Sequence, residues 1–324
     1  MTALYPLRFQ PILRSAIWGG RRLETSLNKR LPPGNDWAES WEICDLGTDQ
    51  SMVASGPLAG MTLRQLVIDR GPELLGANHR EQSQFPLLVK FLDATQTLSV
   101  QVHPDGAHDS KIVPPGPGKT EAWVVMESAP NSKIYAGLQA GVNRARLAAA
   151  IREGQPEQCL HAFRPSPGDC LFLPAGTVHA LGAGLVVAEI QQPSNRTYRL
   201  FDWNRLDAEG RPRPLHVEQA FEVIDFGRGP VLPQRAGAAD HRQGTRLLAC
   251  DHFAIHRWDF DSPLSAGGDQ RCHVIIVLAG AVQLDGDSTT SPLAKGATIL
   301  LPAALGKTRL TPLAKSTLLD CYVP

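Results

Sequence analysis

The chain has 324 residues, which allows one large domain or two ordinary ones, and its 32 basic and 32 acidic side chains cancel. A chain of zero net charge has no global field to attract nucleic acid or an anionic membrane, so neither partner is expected, and an anionic ligand must be held by a local cluster. The 29 glycines and 26 prolines favour a turn-rich β protein.

The location expected from the sequence is cytoplasmic. The six cysteines form no CxxC pair, and scattered cysteines in a chain of this length are typical of buried small hydrophobes in a reducing compartment. The N-terminus has no basic segment followed by an apolar stretch, and no apolar run is long enough to span a membrane.

The first half of the chain reads as strands separated by short helices. Residues 4–20 are extended up to a turn at Trp18-Gly-Gly20, and residues 38–45 alternate as a strand. Thr62 predicts the cap of a helix that Gly71-Pro72 interrupts, and residues 85–92 form an apolar strand. Residues 121–126 and 133–138 predict a hairpin, and Asn143 begins the clearest helix, which ends at Gly154. A further helix is expected around 215–225.

Three β elements carry the residues that suggest chemistry. In residues 97–105 aliphatic side chains alternate with Ser99, Gln101 and His103, so these polar groups share one face of a strand. Glu121 lies on a second extended segment, and His179 follows a buried strand that ends in a Gly/Pro turn. Two imidazoles and a carboxylate suit a divalent metal with open coordination positions, so His103, Glu121 and His179 are predicted ligands.

The pattern of predicted elements changes after residues 227–245, which are the best candidate for a linker between two domains. Short strands separated by Gly, Asp, Ser and Pro clusters suggest a second β unit. The second unit contains a weak internal repeat of the first, since Gly296-Ala-Thr-Ile-Leu-Leu-Pro302 is similar to Gly168-Asp-Cys-Leu-Phe-Leu-Pro174. In the second copy, no histidine follows the proline. We therefore expect a catalytic metal-binding domain at 1–230 and a degenerate domain without metal at 240–324.

The motifs resemble a known family. Gly168-Asp169 with Pro174, Gly176 and His179 resembles the second cupin motif. The segment 98–104 with Lys119-Thr-Glu121 is similar to mannose-6-phosphate isomerase of the short bacterial type, built from two cupin units. The similarity covers roughly residues 5–225 strongly and the remainder weakly. It implies a mostly β fold of two cupin-like jelly-roll β-barrels with a few short helices.

The resemblance also implies an activity and several site residues. The activity is interconversion of mannose 6-phosphate and fructose 6-phosphate through an enediol(ate), on a phosphorylated hexose, by a monomer or a homodimer. Gln101 becomes the fourth ligand of one metal ion per chain, with zinc expected and other divalent ions tolerated. Arg199 of Thr-Tyr-Arg is implicated in catalysis, and Ser99 and Lys90 are implied phosphate-side contacts.

Lys119 shares a face with Glu121, which places it beside the metal. A neighbouring cation would favour its neutral amine, which could act as the base, but an ion pair with Glu121 or a phosphate contact fits equally well. A metal-bound water and another histidine are further candidates for the base. The sequence also departs from the family at Asn195, where an Asp is usual, which leaves any acid/base or arginine-orienting role there in doubt.

Two other classes of function stay open at this stage. Two histidines and one carboxylate on a cupin could bind Fe(II) and activate dioxygen, although Gln101 stands where such oxygenases often place another histidine. A non-catalytic sugar-phosphate-binding or regulatory protein would keep the metal and lack turnover, and Asn195 is the feature that favours it.

Overall fold

The structure is a computed structural model that describes residues 3–79, 81–106, 113–207, 210–234, 239–240 and 244–324. His108, which we expect to be exposed to solvent in the loop 105–118, lies outside the described residues. In the described part of the chain, no helix is long and apolar enough to cross a membrane.

The chain is built mainly of strands. Those of its first two thirds are β1 (Phe9–Gln10), β2 (Ile12–Gly20), β3 (Trp37–Ile43), β4 (Asp45–Leu46), β5 (Asp49–Gln50), β6 (Met52–Val53), β7 (Leu88–Ala94), β8 (Val100–Val102), β9 (Glu121–Ser128), β10 (Ile134–Leu138), β11 (Leu160–Phe163), β12 (Cys170–Leu173), β13 (His179–Leu181), β14 (Leu185–Gln191) and β15 (Tyr198–Phe201). Those of the last third are β16 (Ala239–Asp240), β17 (Gly244–Ala249), β18 (Ala254–Phe260), β19 (Leu264–Gly267), β20 (His273–Ala279), β21 (Ala281–Leu284), β22 (Leu293–Ala294), β23 (Thr298–Leu301), β24 (Lys307–Pro312) and β25 (Ser316–Tyr322).

The helices are short. They are α1 (Arg22–Thr25), α2 (Leu63–Leu75), α3 (Arg144–Arg152) and α4 (Val217–Val223), with 3-10 turns at Ala77–His79, Pro156–Cys159 and Ala303–Leu305. As expected, the side chains of Thr62 and Asn143 cap α2 and α3 by accepting hydrogen bonds from backbone N–H groups.

Two antiparallel sheets form the first sheet pair. One has the strand order β11-β10-β13-β8-β15, and the other has the order β12-β9-β14-β7-β3-β2. Aliphatic and aromatic side chains from both sheets, among them Leu92, Trp123, Ile134 and Leu181, pack into one core between them. Because residues two apart on a strand share a face, the same strands also present polar residues to the space between the sheets, such as Lys90 two residues before Leu92.

The second sheet pair repeats this arrangement in the last third of the chain. Its sheets have the orders β16-β17-β18-β25-β20-β23 and β19-β24-β21-β22, and Trp258, Leu264, Ile275 and Leu310 belong to the core between them. The expectation of two closed β-barrels is only partly met: the protein is mostly β, but in the described residues each sheet keeps open edges.

A third core joins the two sheet pairs. It contains α2 side chains, the outer face of the six-stranded sheet of the first pair, and residues of the second pair such as Ile255 and Leu319. The N-terminal segment also crosses over, because Leu7 exchanges backbone hydrogen bonds of 2.8 and 3.0 Å with Leu300. The two halves therefore share buried apolar surface.

The interruption predicted at Gly71-Pro72 is confirmed, because α2 has a kink with non-helical backbone angles at Arg70, directly before this pair. Two other local predictions are wrong. β9 and β10 do not form a hairpin: β9 pairs with β12 and β14, and β10 pairs with β11 and β13, in the opposite sheet. Trp18-Gly-Gly20 is the end of β2 rather than a turn.

Candidate metal centre and cleft

Three neighbouring strands place polar side chains in one row across the first sheet pair. Gln101 of β8 lies directly opposite His179 of β13 on one side and Arg199 of β15 on the other. Residues directly opposite in antiparallel strands point to the same face, with Cβ atoms about 5 Å apart. Strand register thus brings together three residues that are far apart in sequence.

His103, Glu121 and His179 form a tight, buried cluster. Their potential ligand atoms all lie within 4.8 Å of one another. His103 Nε2 is 3.3 Å from Glu121 Oε2, and His179 Nε2 is 3.2 Å from Glu121 Oε1. Gln101 adjoins the cluster, with its Nε2 3.2 Å from His179 Nε2. The four residues predicted as metal ligands therefore converge.

Backbone carbonyl groups fix the orientation of both imidazoles. His103 Nδ1 is 2.9 Å from the Arg196 carbonyl oxygen, and His179 Nδ1 is 2.9 Å from that of Thr177. Because a carbonyl oxygen can only accept, each Nδ1 donates and each Nε2 turns a lone pair towards Glu121. Such outer partners are typical of metal-ligating histidines.

The environment of the cluster fits a bound cation. Burial and the neighbouring Lys119 ammonium lower the pKa of His103 to about 3, so its imidazole is neutral, the form that ligates metals. Burial alone would favour the neutral acid of Glu121, but the neighbouring Lys119 ammonium holds its pKa well below the usual range. Both Glu121 carboxylate oxygens are buried and accept no well-directed hydrogen bond, although Oε2 forms a 2.9 Å ion pair with Lys119. Ionised oxygens facing imidazole lone pairs at this distance call for a cation between them.

Lys119 lies against this cluster, as its shared face with Glu121 predicts. Its Nζ is 2.9 Å from Glu121 Oε2, 3.2 Å from His103 Nε2 and 3.9 Å from Glu189 Oε1. Glu189 is buried and also accepts a 3.1 Å hydrogen bond from Trp123 Nε1. Burial and the charge of Glu121 raise the pKa of Glu189.

Lys90 is held in a second row of side chains, across the six-stranded sheet. It lies opposite Glu189 on β14 and Trp41 on β3. Its ammonium is 3.4 Å from Glu39, 3.6 Å from Glu189 and 4.7 Å from the centre of the Trp41 ring. Burial opposes the charge on Lys90, but the two carboxylates raise its pKa overall. The face of the Trp41 ring therefore supports this cation.

Arg199 sits at the other side of Gln101. Its guanidinium donates to the Pro214 carbonyl at 2.8 Å, whereas its buried Nε has no hydrogen-bond partner. Burial and the charge of Arg213 lower the pKa of Arg199. Among the described residues, no carboxylate lies within ion-pair distance of Arg199, while Asp202 pairs with Arg205 and Arg213. Arg199 is therefore a cation available to a ligand.

The cluster of His103, Glu121 and His179 adjoins, through Gln101 and Lys119, a cleft of about 350 Å³, a size typical of small-molecule sites. Its walls include the predicted residues Ser99, Gln101, Lys90, Lys119 and Arg199. Ser99 Oγ is 3.5 Å from Gln101 Oε1. Asn195, where the family usually has an Asp, also lines the cleft and is exposed.

Sequence reasoning missed three charged residues of the cleft. Glu39, Glu189 and Arg213 all line it. A signal was present for Glu189, because a single carboxylate interrupts the otherwise apolar run of β14. Arg213 lies outside any strand, so no pattern pointed to it.

The paired sheets and the buried His/Glu/His group define a mostly β, cupin-type protein with a candidate metal centre. A family model described as phosphomannose isomerase type I, catalytic domain, matches residues 7–146. A second, mannose-6-phosphate isomerase, cupin domain, matches residues 243–315.

Curated relatives match over nearly the whole chain. Mannose-6-phosphate isomerase ManA of Bacillus subtilis is 34% identical over 310 residues, which are 94% of this chain and 95% of the relative. Mannose-6-phosphate isomerase of Streptococcus mutans is 32% identical over 301 residues, 92% of each. The crystal structure of the mannose 6-phosphate isomerase from Bacillus subtilis superposes with a TM-score of 0.88 at 30% identity, covering 98% of this chain and 99% of that one. The chain belongs to the type I phosphomannose isomerase family.

Proposed function

We propose that this chain is a metal-dependent aldose–ketose isomerase that interconverts mannose 6-phosphate and fructose 6-phosphate. Similarity to curated isomerases along more than nine tenths of the chain supports this reaction. The observation that carries the proposal is the buried Glu121 carboxylate, whose two oxygens each face the Nε2 atom of an imidazole beside a ligand-sized cleft.

The reaction sets the chemical requirements of the cleft. A proton moves between two adjacent carbons, and the intermediate carries negative charge on oxygen. The cleft must supply an electrophile beside the two oxygens, a base for the carbon-bound proton and an anchor for the phosphate. A bound divalent metal supplies the electrophile as a Lewis acid or holds an acidic water.

Gln101, His103, Glu121 and His179 are the proposed metal ligands. Neutral imidazole, carboxylate and amide oxygen form a mixed N/O set that suits zinc and leaves room for water or substrate. In the structure, the Gln101 amide nitrogen lies 3.2 Å from His179 Nε2. Rotation of the amide by 180° places its oxygen at the same position, where it can bind the metal. Zinc is our proposal for the ion.

Lys119 is the proposed base. Its Nζ lies 2.9 Å from Glu121, so the same position also fits an ion pair. A metal ion bound by Glu121 would compete with the Lys119 side chain for that carboxylate, which would leave the amine available to the substrate. Glu189, whose pKa is raised, lies 3.9 Å from Lys119 and is a second candidate to hold a proton.

Arg199 is proposed to stabilise the negative charge of the intermediate. The guanidinium is always charged, has no carboxylate partner among the described residues, and projects beside Gln101. Ser99 remains a proposed phosphate-side contact. We propose a weaker phosphate-side role for Lys90. Glu39 and Glu189 already balance its charge, which leaves little positive potential to attract a phosphate.

A coupled assay tests the proposal. Protein loaded with zinc should form fructose 6-phosphate from mannose 6-phosphate. Retained metal without turnover would instead favour a non-catalytic sugar-phosphate-binding protein, and oxygen uptake by an iron-loaded protein would favour a cupin dioxygenase.

The remaining proposals concern organisation. We assign residues 1–230 to a catalytic domain and residues 240–324 to a C-terminal domain without metal, in agreement with the separate sheet pairs. A phosphorylated metabolite as substrate is consistent with a cytoplasmic protein.

A further inference from the structure

The second sheet pair contains a polar cleft of its own, which the isomerase activity does not use. Its volume is about 330 Å³, close to that of the first cleft. His256, Trp258, Asp269, Arg271, His273 and Tyr322 are among its lining residues.

Strand register shows that the two clefts occupy equivalent positions. In the repeated segment, Leu173 corresponds to Leu301, five residues after the glycine that begins each copy. Leu173 lies opposite Glu121, and Leu301 lies opposite His273. His273 therefore stands where the first cleft has its carboxylate ligand.

The other ligand positions follow in the same way. Gly267 lies opposite Lys307, as Gln101 lies opposite His179. Asp269 comes two residues after Gly267, as His103 comes two residues after Gln101. The four ligand positions of the first cleft thus correspond in the second to Gly267, Asp269, His273 and Lys307.

This set does not suit a metal. His273 Nδ1 is 2.7 Å from Asp320, and its Nε2 is 2.9 Å from Asp269, so both ring nitrogens are engaged by carboxylates. The two carboxylates outweigh burial and raise the pKa of His273 to about 9. An imidazolium has no lone pair to offer, and the residue that corresponds to His179 is Lys307, which is exposed and does not line the cleft.

The polar character of the cleft nevertheless persists at the equivalent positions. Asp320 corresponds to Glu189, because Glu189 lies opposite Trp123, two residues after Glu121, and Asp320 lies opposite Ile275, two residues after His273. By the same register His256 corresponds to Lys90. Buried ionised groups cost stability relative to apolar residues of similar size. A purely structural unit would gain from losing them, so their presence around a cavity indicates a ligand.

The chemistry of the cleft indicates what the ligand is. Asp269 and Asp320 balance His273 and Arg271, so there is no net charge to attract an anion. In the first sheet pair, Arg199 lies on β15, the strand next to β8. In the second, β19 corresponds to β8 and is the edge strand of its sheet, so no described strand carries an equivalent of Arg199. Trp258 and Tyr322 add aromatic walls next to groups that donate and accept hydrogen bonds.

We propose that the cleft of the second sheet pair is a binding site for an uncharged, polyhydroxylated ligand such as a free hexose or hexitol, held without metal and without turnover. Carboxylates and the imidazolium would bind hydroxyl groups, and the aromatic rings would contact the carbon skeleton. This inference does not depend on the isomerase activity.

The test is calorimetric titration of the zinc-loaded protein with D-mannose, D-fructose, D-mannitol and inorganic phosphate. Two variants change the cleft. Trp258→Leu installs the leucine found at the equivalent Leu92, and Asp269→Asn removes a carboxylate whose side chain is 29% exposed, so the fold tolerates the change. Asp259→Asn is the matched control, since Asp259 is exposed on the other face of β18.

We expect one of the sugars to bind the parent protein and the control equally, with at least tenfold weaker binding to both cleft variants. Turnover of mannose 6-phosphate should be the same in all four proteins. The proposal is overturned if no sugar binds at millimolar concentration, if both cleft variants bind as the parent does, or if phosphate alone binds. Loss of sugar binding in Arg199→Ala would assign the binding to the first cleft and also overturn it.

Discussion

Replacing Glu121 by glutamine tests the metal centre with a nearly isosteric change. The substitution removes a buried negative charge that lies 2.9 Å from Lys119 and 3.2–3.3 Å from two imidazole nitrogens. At an effective dielectric constant of about 20, Coulomb's law gives the Lys119–Glu121 contact roughly 6 kcal/mol of attraction. Because desolvation offsets part of this, breaking the buried pair should cost the metal-free protein about 3–5 kcal/mol.

Metal binding should fall as well, since glutamine supplies no charged oxygen. Loss of an outer partner of a metal ligand already costs about 10–100-fold in affinity, and loss of a charged ligand should exceed that. Glu121→Gln should therefore contain little zinc after dialysis and show at least 100-fold lower turnover than the parent. Elemental analysis, the coupled isomerase assay and urea unfolding in the presence of a chelator measure the three effects.

The matched control lies on the same strand. Glu127 pairs with Lys295 at 2.6 Å, and both side chains are about one third exposed. Glu127→Gln should change stability by less than about 1 kcal/mol and leave metal content and turnover unchanged. Stoichiometric zinc and full activity in Glu121→Gln would refute the reasoning.

Further predictions concern the other cations and the second cleft. Arg199→Ala should keep its zinc but lose most turnover, as measured by kcat, and unchanged turnover would remove Arg199 from the active site. Chelation of the parent protein should abolish activity, and zinc should restore it; activity that survives complete metal removal would contradict the mechanism. His273 has a pKa of about 9 in the folded protein, above the ordinary 6.5, so its stabilisation is complete below pH 6.5 and is lost as the pH rises through 9. The free energy of unfolding should fall by roughly 3 kcal/mol over that interval relative to His273→Asn, which lacks the titrating group; equal pH dependence in the two proteins would contradict this.

The site was largely predictable because its signals are local. The alternation in residues 97–105 places Gln101 and His103 on one face, and the Gly/Pro turn before His179 presents that histidine at the start of β13. The resemblance supplied the remaining ligand and the reaction. Which strands are neighbours was harder, because β9 is buried on both faces over most of its length and its apolar run identifies no partner.

The missed residues depend on contacts between distant segments. Glu189 acquires its environment from Lys90 and Trp123, each on a strand far away in sequence. The second cleft gives no signal of this kind, because no histidine follows Pro302 in the sequence repeat. Its equivalence to the first cleft emerges from the pairing of His273 with Leu301, which a pattern in one segment cannot reveal.

The most direct test is a crystal structure of the zinc-loaded protein with an anomalous difference map recorded at the zinc absorption edge. We expect one strong peak beside the first cleft, about 2.0–2.2 Å from the ligand atoms of Gln101, His103, Glu121 and His179, and none at His273. A peak at another place, or none in the first cleft while the crystals retain full isomerase activity, would contradict it.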